Sequence, residues 1–290
     1  MTRQISRLAS GGRIDRTRRL RFTWEGRMLE GYEGDTLASA LVANGVSLVG
    51  RSFKYHRPRG LVGVGVEESN ALVQLGEGAR STPNMRATEI LLYDGLVAKP
   101  VNCFPNSRFD IGAVNDLASR FLSAGFYYKT FMWPDWHLYE GLIRRAAGLG
   151  KVARAADPDR YESRFAHCDV LVVGAGPAGL AAAHAAAASG ARVILAEQDD
   201  GVGGALRYED IAINDQPGAV WAQRMADEIA AKSEAQILLR ATVVGYHDHK
   251  SLTMVQQLAD EAGCAADPSR ARYRTWQIRA GQVVLATGAI

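Results

Sequence analysis

The stretch Val170–Gly179, VLVVGAGPAG, sets three glycines at the spacing GxGxxG. An apolar, β-branched run leads into it, and the small, helix-forming run AGLAAAHAAAAS follows it. A glycine turn between a parallel strand and a helix suits one chemistry. Gly174 permits the tight turn, Gly176 lets backbone approach a pyrophosphate, and Gly179 lets helix and strand pack closely. Pro177 sits in the first helical turn, where its missing N–H is not needed. Ala175 and Ala178 complete the loop, and the helix start presents free amides and a partial positive charge to phosphate.

Glu197 lies 18 residues beyond Gly179, at the end of the next apolar run, ARVILAEQ. A carboxylate there takes the hydroxyls of an adenosine ribose, and it repels a 2′-phosphate, which disfavours NADP. Gln198 and Asp199 border the same ribose. Gly203, Gly204 and Ala205 bring a second length of backbone near the cofactor. GxGxxG alone also occurs where glycines serve packing only; strand, helix and Glu197 together point to a dinucleotide. All these residues address the ADP half, which FAD and NAD share, so the choice between them stays open at this point.

The elements that must hold these residues fall into two kinds. Residues 18–32 read as two strands around a turn at Glu25-Gly26, followed by a helix capped by Asp35 or Thr36 with Leu37, Ala40 and Leu41 on its apolar face. Further strands are expected near 71–75, 89–92 and 97–101. Strand, hairpin, strand, helix is the opening of a β-grasp domain, assigned to 1–102. Residues 103–166 form a helical, aromatic connecting segment; its stretch AGFYYKTFMWPDWH is either a core connection or a surface that docks on another subunit. From 167 to 290, strands alternate with helices, the pattern of an α/β sheet with parallel core strands. The fold class is therefore α+β followed by α/β: a β-grasp unit, then a Rossmann-like unit that the chain leaves incomplete.

Composition excludes several classes. The chain has 290 residues, 47% hydrophobic and 22% charged, with net charge +3, too small to argue for nucleic acid. The basic start (Arg13, Arg16, Arg18, Arg19, Arg21) reads as a solvated arm or partner contact. No run of about 18 apolar residues suggests a membrane span. The chain start lacks the apolar core of a signal peptide. Cys103, Cys168 and Cys264 are far apart, which fits a reducing, cytoplasmic setting. After the Gly-Gly turn the sequence reads GGALRYED, with no redox cysteine pair, which argues against disulfide-reductase chemistry. His247 and His249 in YHDHK lack a third metal ligand and read as a turn.

Longer motifs narrow the family. QVVLATGA (282–289) matches a second signature of flavoproteins with two dinucleotide-binding domains. VGRSFKYHRPRG (49–60), NCFPNSRFDIGAVNDL, AGFYYKTFMWP and LYEGLIRRAAGLGKV follow one another in the order found in the alpha subunits of heterotetrameric sarcosine oxidases, which the chain resembles from about residue 15 onward. The resemblance to flavoproteins with two dinucleotide-binding domains implies that Thr287-Gly288 closes the nucleotide site and that Val243 offers backbone to the adenine. The resemblance to sarcosine oxidase alpha subunits implies a ferredoxin-like N-terminal domain with no iron–sulfur cluster: relatives that hold one place cysteines after RPRG, where this chain reads LVGVGVEESNA, and a cluster needs four thiolates. Arg51, Lys54, His56, Arg57 and Arg59 then read as subunit or anion contacts, or as a solvated loop.

The resemblance further implies NAD on this chain, held rather than consumed, with FAD and FMN on a partner. The partners are the beta, gamma and delta subunits, and sarcosine and tetrahydrofolate bind at sites outside this segment. The complex oxidises sarcosine to glycine with O2, giving hydrogen peroxide and 5,10-methylenetetrahydrofolate. No catalytic residue and no metal ligand is assigned to this chain, which is expected to be a fragment inactive alone. Two other readings stand: an FAD-binding subunit of an opine, proline or amine dehydrogenase or hydrogen cyanide synthase, and a non-catalytic scaffold.

Overall fold

A computed structural model describes residues 4–117, 119–120 and 133–289. The chain divides into two compact units, Met1–Pro158 and Asp159–Ile290.

In the first unit, β1 (Asp15–Trp24) and β2 (Arg27–Glu33) form a hairpin. Its two turn residues, Glu25 and Gly26, both take positive φ (49° and 76°), as a tight hairpin turn that follows the strand twist requires. Helix α1 (Leu37–Ala43) starts at Thr36, whose hydroxyl accepts the Ser39 amide while the Ser39 hydroxyl accepts the Thr36 amide. A small two-stranded pair, β3 (Gly50–Arg51) and β4 (Pro58–Arg59), precedes β5 (Leu72–Leu75), β6 (Thr82–Arg86) and β7 (Leu96–Pro100). The main sheet runs β2-β1-β7-β5-β6, with β1 and β7 parallel and the other neighbours antiparallel. Alternate positions Phe22, Trp24, Val73 and Leu96 turn inward onto Leu37 and Leu41 of α1. Burial on one face of a mixed sheet by one helix is the β-grasp arrangement expected.

Three details differ from the sequence reading. Residues 89–92 form no strand; Leu91 makes a single bridge to Thr36. The edge strand is β6 instead, hidden because Thr-Pro-Asn-Met-Arg lacks apolar alternation. In the connecting segment expected to be helical, Ile111–Asp116 is a 3₁₀ turn capped by Asp110, and helix α2 follows at Trp136–Ala147, ending at Gly148 with φ 71°. The aromatic stretch with its interface reading lies mostly outside the described residues.

The second unit contains β8 (Arg160–Val173), α3 (Pro177–Ala188), β9 (Val193–Ala196), a short pair β10 (Ala212–Ile213) and β11 (Gln216–Pro217), α4 (Gly218–Ala230), β12 (Ala235–Leu238), β13 (Ala241–His247), β14 (Ser251–Gln257), α5 (Glu261–Ala266) and β15 (Ala271–Leu285). Its sheet runs β12-β9-β8-β15-β14-β13. The first four are parallel, and the last two join antiparallel. Adjacent residues of β8 serve opposite faces: Val172 packs with Leu180, Leu195 and Ile229 under α3 and α4, and Leu171 packs with Leu252, Met254 and Ile278. This is the Rossmann-type layout, extended by an antiparallel hairpin.

β8 starts at Arg160, so residues 160–166, assigned to the connecting segment, are strand. Pairing with β15 explains it: Glu162 opposite Arg274 is an ion pair, and Arg272 is buried between Asp159 and Glu261. Charges that look like a linker in sequence are matched across two strands.

Candidate nucleotide site

The site forms where β8 ends. Gly174 has φ 97°, and a side chain there would set its Cβ 2.4 Å from the Ala286 carbonyl oxygen. A Cβ on Gly179 would stand 1.8 Å from the Gly174 carbonyl oxygen. Both contacts are with backbone, so the fold itself demands glycine at these two positions. Gly176 is different: nothing lies within 4 Å of its Cβ position. It caps α3 without a side-chain hydrogen bond, Pro177 takes the first helical position, and Pro177 and Ala178 are exposed. The first-turn amides of a helix have no intrahelical partner, so an open, amide-lined turn faces solvent here.

The carboxylate end is built on β9. Glu197 is 7% exposed, and its two oxygens accept the Ala175 amide at 2.6 Å and the Asp199 amide at 3.0 Å. Gln198 and Asp199 are exposed. The Gly203 amide donates to the Ala175 carbonyl at 2.8 Å, and Gly204, at φ 52°, would bring a Cβ to 3.1 Å from the Gly176 Cα. Ala205 follows in the same 3₁₀ turn, Gly204–Arg207. Ala286 donates to the Val173 carbonyl at 2.8 Å and places Thr287 against the Gly174 turn, with Thr287 and Gly288 exposed beside it. The Ala241 amide bonds the Glu197 carbonyl at 2.7 Å, so β13 leaves from the carboxylate, and Val243 precedes an irregularity in its pairing with β14.

The structure thus gathers Gly174–Gly179, Glu197, Gly203–Ala205 and Ala286–Gly288 at one end of the parallel strands; Val243 stands two residues along the strand that departs from Glu197. Arg207 was missed in the sequence. Its guanidinium bonds Asp200 at 2.5 Å and lies 3.5 Å from Asp199, closing the loop after Glu197. An acidic pair followed by an arginine after the Gly-Gly turn was the available signal.

Residues 17–103 match a family described as "2Fe-2S iron-sulfur cluster binding domain", and 169–269 match one described as "FAD dependent oxidoreductase". A sarcosine oxidase subunit alpha of Rhizobium meliloti (strain 1021) is 51% identical over 98% of this chain, and one of Corynebacterium sp. (strain P-1) is 39% identical over 96%. The chain is a homologue of sarcosine oxidase alpha subunits. It spans 29% and 24% of the length of these two relatives. The solved L-proline dehydrogenase of P. horikoshii is 18% identical, covers 98% of this chain and 42% of its own, and superposes with a TM-score of 0.55, a likeness of fold.

In this sarcosine oxidase alpha-subunit homologue, Arg51 and His56 of the basic segment are interior, which corrects both sequence readings for these two residues. Arg51 is buried, and its guanidinium donates to the carbonyls of His56, Ser107 and Arg108. His56 is buried against Asp110 at 2.6 Å. Arg57 pairs with Asp116, and Lys54 and Arg57 sit over the Tyr55 ring. Only Pro58–Arg59 is exposed strand. Cys103 and Cys168 do not offer reactive thiols. Burial pushes the Cys103 thiol up to about 12, aided by Glu25 and Asp110, and burial pushes Cys168 to about 11, aided by Asp169.

No helix among the described residues is long and apolar enough to cross a membrane.

Proposed function

We propose that the second unit binds the ADP half of a dinucleotide, as part of a sarcosine oxidase alpha subunit. The observation that carries this is the conjunction at the end of β8: an open Gly176 turn at a helix start, with the buried Glu197 bonded to the amide of Ala175. Gly174–Gly179 hold the pyrophosphate, Gly203–Ala205 and Thr287-Gly288 flank it, Glu197 with Gln198 and Asp199 holds the adenosine ribose, and Val243 meets the adenine. A carboxylate at the ribose excludes a 2′-phosphate by charge.

On the family reading the dinucleotide is NAD, and the chain's residues bind and enclose it without a proton or nucleophile of their own. The wider complex, with beta, gamma and delta subunits and with FAD and FMN on the beta subunit, then oxidises sarcosine to glycine with O2 and passes the one-carbon unit to tetrahydrofolate at a site elsewhere. A second reading, FAD at this site, is favoured by the match of residues 169–269 to FAD dependent oxidoreductases.

Calorimetric titration of the nucleotide-stripped full-length protein with NAD, NADP and FAD tests the site. Binding of NAD or FAD with NADP at least about tenfold weaker, ~1.4 kcal/mol, is expected; equal affinity for NADP rules out Glu197 as the ribose ligand.

A further inference from the structure

The family to which residues 17–103 belong binds a [2Fe–2S] cluster, and the fit of this chain to that group can be tested on its donors. Cys103 is the one cysteine within those residues. Its thiol is held protonated by burial, whereas a cluster takes thiolates. The donors do not fit.

The loop that follows β4 is nevertheless shaped around negative charge. Glu68 is 1% exposed, and its carboxylate accepts four backbone amides: Val62 at 2.8 Å and Gly63 at 3.0 Å on one oxygen, Asn70 at 2.6 Å and Ala71 at 3.0 Å on the other. Glu67 accepts the amides of Val64 at 2.5 Å and Gly65 at 3.0 Å. A Cβ on Gly63 would meet the Glu67 carboxylate at 2.6 Å, and one on Gly65 would meet it at 3.1 Å, so glycines leave the room the carboxylate fills. Consecutive backbone amides folded into a concavity make an anion-binding nest of the kind used at phosphate and iron–sulfur sites.

We infer that the chain's own Glu68, with Glu67, is the anion of an amide nest in the first unit, standing where a cluster-bearing relative uses an inorganic group. The domain is therefore organised without a cluster, rather than left vacant by its loss, and electrons do not pass through it. The Glu68 carboxyl titrates below the usual range even though burial opposes this, because its four amide donors outweigh the burial. The inference is independent of which nucleotide the second unit holds.

Hydrogen exchange resolved to residues 60–71 in the full chain tests it. In Glu68→Ala, the amides of Val62, Gly63, Asn70 and Ala71 should exchange at least about tenfold faster, and added formate should slow them again, since the emptied nest accepts a small carboxylate. Formate should leave the wild-type chain unchanged. Glu68→Gln preserves shape and keeps one acceptor oxygen, so one pair of amides should be released and the other retained. Unchanged exchange in both variants, or no effect of formate on Glu68→Ala, would overturn the inference. So would the charge-transfer absorbance of a cluster after anaerobic incubation of the wild-type chain with ferrous iron and sulfide.

Discussion

The Glu197 carboxylate accepts the Ala175 amide at 2.6 Å, joining the end of β9 to the glycine turn of β8. The proposed ribose anchor and the proposed phosphate turn are thus one hydrogen-bonded piece. Glu197→Ala leaves the Ala175 and Asp199 amides without their acceptor. It is expected to cost about 1–3 kcal/mol of stability and to lower nucleotide occupancy by at least about tenfold, ~1.4 kcal/mol. Thermal unfolding and nucleotide content of the purified variant measure the two effects separately.

Gly176 and Gly179 should respond in opposite ways to alanine. At Gly179 the added Cβ meets backbone at 1.8 Å, so α3 must shift and stability should fall by about 1–3 kcal/mol or more. At Gly176 there is room and φ is −69°, so Gly176→Ala should fold normally yet lose nucleotide. Equal stability loss in both variants would contradict the room at Gly176, and full nucleotide content in Gly176→Ala would show that the turn's openness has no bearing on binding.

Arg51 and Arg59 carry the same charge eight residues apart in the sequence, yet only Arg51 holds three backbone carbonyls. Arg51→Ala should cost about 2–4 kcal/mol, and Arg51→Lys should not restore it, because an ammonium cannot reproduce the fork. Arg59→Ala should change stability by less than about 0.5 kcal/mol. Chemical denaturation of the three variants decides it.

How much of this was legible in the sequence depended on range. The glycine turn, Pro177 and the capping of α1 are local, and they stand as their spacing indicates. The Glu25-Gly26 hairpin is likewise written in adjacent residues. Arg51 was not legible, because the carbonyls it serves come from residues 56, 107 and 108, and a charged run in sequence gives no sign that its first member is interior. The early start of β8 was hidden because Glu162 and Arg164 read as linker until β15 supplies partners more than a hundred residues away. β14 carried a period-two signal in Leu252 and Met254, but its short, polar ends masked it. Glu68 lies in a stretch notable for the cysteines it lacks, so the carboxylate's role emerged only from the four amides around it.

Asp169 lies within β8, where Arg192 donates to it from both its backbone and its guanidinium. Those bonds hold the carboxyl at about 2, against an ordinary 3.8. A carboxyl depressed in the folded state stabilises above its unfolded value and loses that contribution as pH falls through its folded one. The stability difference between wild type and Asp169→Asn should therefore be constant from neutral pH to about 5, shrink below about pH 4, and lose the ionisation contribution below about pH 2. Because the pair is exposed, the difference should also narrow with added salt. Denaturation curves across that pH range at two ionic strengths measure both.

The most direct measurement is the nucleotide itself: purify the full-length protein, denature it, and identify what is released by absorbance and chromatography. One adenine dinucleotide without a 2′-phosphate per chain is expected, with NAD supporting the alpha-subunit reading and FAD moving the flavin onto this unit. Release of no dinucleotide, or of NADP, would contradict a ribose site built on Glu197 and a phosphate turn built on Gly176.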